Sequence, residues 1–219
     1  LSSVTIIVDS DKALLKARVA QFWDDRPCGT FATDEEPGSR AFFDQVGRYR
    51  YRTQPFMDKL VGFARFPGAR VLEVGCGLGT DLRRFASSGA HVVGLDLSAN
   101  SVALTRKHFQ VFATDGEFLV SDAERLPFTD SSFDVVYSFG ALHHMPDTQR
   151  AIDECWRVLK PGGYFIAMLY NKRSWDVVVQ PYLWAAKLLV LRRPLPPDYA
   201  DRLEVVRSYD GVENPLGKA

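Results

Sequence analysis

The run Val71-Leu72-Glu73-Val74-Gly75-Cys76-Gly77-Leu78-Gly79-Thr80 constrains the fold of this chain more than any other stretch. A short apolar segment carrying one acid breaks into a turn with glycine at every second position, and a helical pattern follows at once. Without Cβ atoms at Gly75, Gly77 and Gly79, the backbone can bend sharply and lie against a ligand. The amides that open the next helix, with the positive end of its dipole, then face that ligand. The stretch predicts a strand, a turn and a helix built around a nucleotide-type cofactor.

The pattern repeats downstream. After Pro67-Gly68, apolar strands are expected at Val71 to Val74, His91 to Leu95, Phe118 to Ser121, Phe133 to Ser138 and Tyr164 to Leu169. Helical segments fall between them: Thr80 to Ser87, a helix capped by Ser98 and running to about Phe109, and one opened by Asp147. In the last, Ile152, Cys155, Trp156 and Leu159 follow a helical stripe. Alternating strands and helices with short connections call for a parallel sheet covered on both faces. Such α/β sheets, Rossmann-like in plan, bind ligands at the carboxyl ends of their strands.

Around this core the chain divides into three parts. Residues 1–70 are expected to form a helical N-terminal cap without strands. It holds one helix from Asp11 to Trp23, and a second that starts at Pro55 and runs to about Phe66. Residues 71–170 are the α/β core. Residues 171–219 form a lid or insertion whose apolar stripe, Val177 to Leu191, is broken by Gln180, Pro181 and Lys187. That stripe is shorter than the ~20 residues of a membrane span, so it is expected to be core or lid, with a dimer surface or shallow membrane contact as alternatives, rather than a transmembrane helix.

Charge is balanced at 27 basic against 27 acidic residues, which argues against nucleic acid held by bulk electrostatics. Cys28, Cys76 and Cys155 lie far apart without a CxxC pair, so neither a disulfide framework nor a zinc site is expected. With no secretory signal in the first residues, the expectation is a reducing, cytoplasmic setting.

Spacing narrows the ligand. A dinucleotide fingerprint needs its third glycine where Thr80 stands, and no Gly-Lys-[Ser/Thr] phosphate loop or local basic run is present. Asp96 ends the second strand, where a carboxylate can accept two ribose hydroxyls. Asp122 follows the third, where an acid or its neighbouring backbone can meet the amine of adenine. Together these point to an adenosine without a pyrophosphate.

Glu73-Val74-Gly75-Cys76-Gly77-Leu78-Gly79, Asp96-Leu97-Ser98, Asp122 to Phe128, Phe133-Asp134, Leu142-His143-His144 and Arg157 to Gly163 together resemble class I S-adenosylmethionine-dependent methyltransferases. The nearest branch is the small-molecule group similar to the ubiquinone and menaquinone biosynthesis enzymes. The resemblance covers roughly Val71 to Leu169. It implies S-adenosylmethionine as cofactor, S-adenosylhomocysteine as product, no metal, and a small-molecule methyl acceptor that the cap aromatics suggest is partly apolar. It also implies that Glu73, Gly75, Cys76, Gly77 and Gly79 seat the methionine end. Asp96 would hold the ribose, with Leu97 beside the adenine and Asp122 with Ala123 at its amine. Ser138 would give a backbone contact near the methionine amino group. Phe22-Trp23 and the segment around Tyr51 would cap the cofactor. The family's sheet ends with a sixth strand and an antiparallel seventh, and neither is found in the tail. Either the chain is a fragment or its edge is completed in another way.

His143 is the best candidate for a group facing the acceptor, as a base if one is needed. His144 is expected in core packing or a loop hydrogen bond. Cys76 reads as a small residue in a crowded turn, since no base partners it. Two rivals stand beside the methyltransferase. One is a cofactor-binding module without catalysis. The other is an NAD(P)-dependent oxidoreductase, which would want the absent third glycine and a Tyr-x-x-x-Lys pair that does not occur.

Overall fold

A computed structural model describes residues 9–169. The expected lid, the apolar stripe at 177–191 and the question of further strands all lie outside the described residues.

In chain order, helix α1 (Asp9–Asp25), α2 (Arg40–Thr53) and short α3 (Met57–Val61) precede the first strand. Then follow β1 (Arg70–Val74), α4 (Thr80–Ser87), β2 (His91–Asp96), α5 (Ala99–Val111), β3 (Glu117–Val120), β4 (Phe133–Phe139), α6 (Thr148–Val158) and β5 (Leu159–Met168). Among the described residues the strands form one sheet in the order β3-β2-β1-β4-β5, every neighbouring pair parallel. Strand order reverses between β1 and β4, so the end of β1 opens at the switch point where such sheets take ligands.

The strands bury both faces because their side chains alternate onto two cores. Leu72, Val74, Val93, Leu95 and Val136 pack with Ala151, Cys155 and Val158 of α6. Val71, Val92, Val135 and Tyr137 pack with Leu82 and Phe85 of α4, Phe109 of α5, and Met57, Val61 and Phe63 of the cap. A third cluster joins Phe42, Phe43 and Val46 of α2 to Leu78 in the glycine turn. The described chain from Asp9 through Met168 is one compact unit.

The cap is helical, as expected, but its helices fall differently. Ser39 caps an unforeseen helix α2 by accepting the Phe42 N–H at 3.1 Å. The expected helix from Pro55 to about Phe66 is cut short instead. Gly62 at φ 63° ends α3 after Val61, and Phe63–Arg65 is a separate 3₁₀ turn. Strand β5 pairs with β4 from Leu159 on, with an irregularity around the Pro-Gly-Gly segment before Tyr164 takes up the register with Val135.

Candidate functional site

The glycine turn is fastened from behind, which leaves its front open. Gly75 and Cys76 both donate their N–H groups to the Leu95 carbonyl of β2, at 2.8 and 3.0 Å. The Gly77 N–H goes to Asp96 Oδ2 at 2.9 Å, and Thr105 Oγ1 donates to the Gly77 carbonyl at 2.7 Å. Gly75, at φ 77°, lies so close to Ala141 that an added Cβ would stand 2.2 Å from that residue's Cβ. Among the described residues an added Cβ at Gly77 would meet nothing within 4 Å, so the space in front of it is a cradle that a side chain would fill. Gly79 backs onto Thr105 and Phe109.

Asp96 is pre-aligned at the end of β2. Its Oδ1 accepts the Ser98 N–H and its Oδ2 the Gly77 N–H, both at 2.9 Å. Burial raises its pKa against the pull of these N–H groups. Each oxygen keeps a lone pair for a further donor. Leu97 beside it is half-buried. Asp122 Oδ1 accepts the Glu124 N–H at 2.9 Å, and its Oδ2 accepts Lys16 Nζ of α1 at 2.6 Å. Lys16 also reaches Glu124 at 2.7 Å. Ala123 is 1% exposed. Ser138 is fully buried, and its Oγ donates to the Val74 carbonyl at 2.8 Å, tying β4 to the strand that feeds the turn. Cys76 is also buried; burial first, then the charges of Asp96 and Glu73, push its thiol well above the usual range. A thiol held protonated is a poor nucleophile.

Glu73 is 4% exposed, and its Oε2 has no hydrogen-bond partner among the described residues. Burial first, then the charge of Asp81, raises its pKa well above the carboxylate range. Tyr51 donates its hydroxyl to Asp81 Oδ1 at 2.8 Å. Arg50 Nε reaches the same oxygen at 2.9 Å, its Nη2 reaches Oδ2, and Tyr137 donates to Oδ2 at 2.7 Å. Burial lowers the pKa of Arg50, but the hydrogen bonds and charge of Asp81 more than offset it.

His143 lies on the 3₁₀ turn Leu142–His144 that follows β4, at the same sheet edge. Burial, with a smaller effect of His144, brings its pKa down to about 4, so its imidazole is neutral at pH 7. The His144 ring lies 5.3 Å from the Trp23 ring of α1, edge-on. Among the described residues no group of three or more His, Cys, Asp or Glu could hold a metal ion, and no helix is long and apolar enough to cross a membrane.

Asp81, Arg50, Tyr137, Thr105 and Lys16 were not singled out from sequence. Only Asp81 carried a local signal, as an acid in the first turn of a helix. The others reach the site across 28 to 106 residues of chain.

Residues 72–167 match the family described as methyltransferase domain. A demethylmenaquinone methyltransferase of Clavibacter sepedonicus is 37% identical over 162 residues, covering 68% of this chain and 64% of the relative. Phosphoethanolamine N-methyltransferase 2 of Caenorhabditis elegans is 37% identical over 109 residues, covering 48% of this chain and 25% of the relative. A solved SAM-dependent methyltransferase of Methanosarcina mazei aligns with a TM-score of 0.50 at 25% identity, over 63% of this chain and 71% of that one. The chain thus spans between 25% and 64% of the length of these curated relatives.

Proposed function

We propose that this chain, whose residues 72–167 match the methyltransferase-domain family, is an S-adenosylmethionine-dependent methyltransferase acting on a small-molecule acceptor. One observation carries the reading. Within the family-matched span, the open cradle before Gly77, the unsatisfied Glu73 Oε2 and the pre-aligned Asp96 share the carboxyl edge of the sheet. An unpaired buried carboxylate oxygen and a backbone left bare both fit a ligand with a cationic amino-acid end.

When bound, S-adenosylmethionine supplies a methyl group on a positively charged sulfur, open to in-line displacement. The residues of the chain then have distinct tasks. Gly75, Cys76, Gly77 and Gly79 shape the seat of the methionine end, and Glu73 and the Ser138 backbone meet its amino group. Asp96 accepts the ribose hydroxyls, Leu97 flanks the adenine, and Asp122 with Ala123 meets the adenine amine. Tyr51 serves the seat by holding Asp81. Catalysis is dominated by positioning, which contributes roughly 7–11 kcal/mol in the best cases. A base with a pKa near 4, as at His143, is proton-free at pH 7 but too weak to drive a large part of the rate. His143 therefore orients the acceptor first and takes a proton second.

The names of the relatives, demethylmenaquinone and phosphoethanolamine methyltransferases, support a small-molecule acceptor, which we take to be partly apolar, rather than nucleic acid. Three free cysteines support a cytoplasmic setting. The test is incubation with methyl-labelled cofactor and a panel of quinols, sterols and amino alcohols. Labelled product and S-adenosylhomocysteine are expected. Cofactor binding without transfer across the panel would favour a non-catalytic module, and tight binding of NADH in place of S-adenosylhomocysteine would overturn the proposal.

A further inference from the structure

Behind the glycine turn, two buried carboxylates share one guanidinium. Asp81, 2% exposed, takes all the strong donors: the Arg50 fork, the Tyr51 hydroxyl and the Tyr137 hydroxyl. Glu73, the neighbouring acid on β1, is favoured by the Leu82 backbone N–H, and among the described residues its Oε2 has no hydrogen-bond partner. The remaining groups around it do not make up the shortfall. Asp81 of α4 and Asp96 of β2 repel its charge, and Arg50 of α2 attracts it while donating to Asp81. Tyr137 of β4 has given its proton donor to Asp81, and Cys76 of the turn is a protonated thiol.

With every acid ionised, Glu73, Asp81 and Asp96 would face the single cation Arg50. A buried carboxylate with an oxygen unsatisfied is costly, and the usual escape is to keep its proton. With all three acids ionised the cluster would be two positive charges short, and with Glu73 protonated it is one short.

We infer that Glu73 is a proton-exchanging seat for the ammonium of an amino-acid-bearing ligand: the carboxyl gives up its proton as the ammonium arrives. The balance is simple. The O–H bond of Glu73 breaks, its proton passes to solvent, and the ligand keeps its ammonium and forms an ion pair with the new carboxylate. The inference rests on the S-adenosylmethionine reading and adds to it that the amino-acid end, and not the nucleoside end, links binding to pH.

Isothermal titration of the unmodified protein tests this, between about pH 5.5 and about pH 7.5, in pairs of buffers with different ionisation enthalpies. Two ligands are compared: S-adenosylhomocysteine, and 5′-methylthioadenosine, which has the nucleoside and sulfur but no amino-acid end. S-adenosylhomocysteine should release up to about one proton, its affinity rising by up to about tenfold per pH unit where Glu73 titrates. 5′-Methylthioadenosine should release none, and Glu73→Gln should abolish the release seen with S-adenosylhomocysteine. Equal proton counts for the two ligands, or no release with S-adenosylhomocysteine anywhere in the range, would overturn the inference. If Glu73→Gln does not fold, the comparison of ligands on the native protein decides alone. Failure of both ligands to bind would instead sink the cofactor reading.

Discussion

Gly75 and Gly77 sit two residues apart in one turn, yet a methyl group at each meets a different fate. At Gly75 it would strike Ala141 at 2.2 Å in a backbone that already has φ 77°, so Gly75→Ala should lower stability by more than about 2 kcal/mol and abolish cofactor binding. At Gly77 it enters open space, so Gly77→Ala should cost only the left-handed strain of about 1–2 kcal/mol while still losing cofactor affinity. Chemical denaturation beside S-adenosylhomocysteine titration checks both; equal stability losses would mean that the space before Gly77 is not open. His108 carries a pH prediction. It is 1% exposed, shares its ring nitrogens with the Leu78 carbonyl and Arg83, and stacks on Phe43 at 4.2 Å. Burial, with Arg83 adding, lowers its pKa from 6.5 to about 4. Because the folded value lies below the unfolded one, its neutral form supports the fold above pH 6.5, and that support is lost as pH falls towards about 4. The loss is up to about 3 kcal/mol. Glu73 works in the opposite sense, so the test is the difference in slope of denaturation midpoints between native protein and His108→Gln. Parallel slopes would refute it.

Helices α1 and α2 hold to the core by different means, and they should fail differently. From Lys12 to the end of α1, only Val19 is buried; the helix is tied down by Lys12 to Asp147, by Lys16 to Asp122 and Glu124, and by Asp24 to Ser98 and Asn100. Partly exposed ion pairs are worth about 0–1 kcal/mol and weaken with salt. Amide exchange in α1 should therefore be faster than in α5 and should quicken as salt is raised, with little change in global unfolding; salt-independent exchange there would contradict this. Helix α2 is held by apolar Phe42, Phe43 and Val46 and by the two side chains that converge on Asp81. Asp81→Ala strips a half-buried guanidinium and two hydroxyls of their acceptor at once. It should cost about 3–5 kcal/mol, read by thermal or urea unfolding. A loss below about 1 kcal/mol would mean that water replaces the carboxylate.

Across the molecule, a ligand that binds only the folded form stabilises it by mass action. S-adenosylhomocysteine at a hundred times its dissociation constant should add about 2.7 kcal/mol, or roughly 5–10 °C in melting temperature, where NADH adds nothing. The architecture was legible because buried parallel strands write themselves as apolar runs between capped helices. The resemblance expected from Val71 to Leu169 coincides with the family match over 72–167. Helix α2 escaped notice although Ser39, Phe42, Phe43 and Val46 carry its cap and its stripe, because dense arginines and aromatics hid the period. The Asp81 cluster could not be read at all, since Tyr137 reaches it across 56 residues and no local pattern records a tertiary hydrogen bond. The same long reach has a consequence during synthesis. Lys12 and Lys16 leave the ribosome 135 and 106 residues ahead of the acids they meet, so α1 must wait, unattached, for a docking surface made much later. Helix α1 then settles late, and a nascent chain stalled after β2 would carry it with even Ser98 and Asn100 still to come.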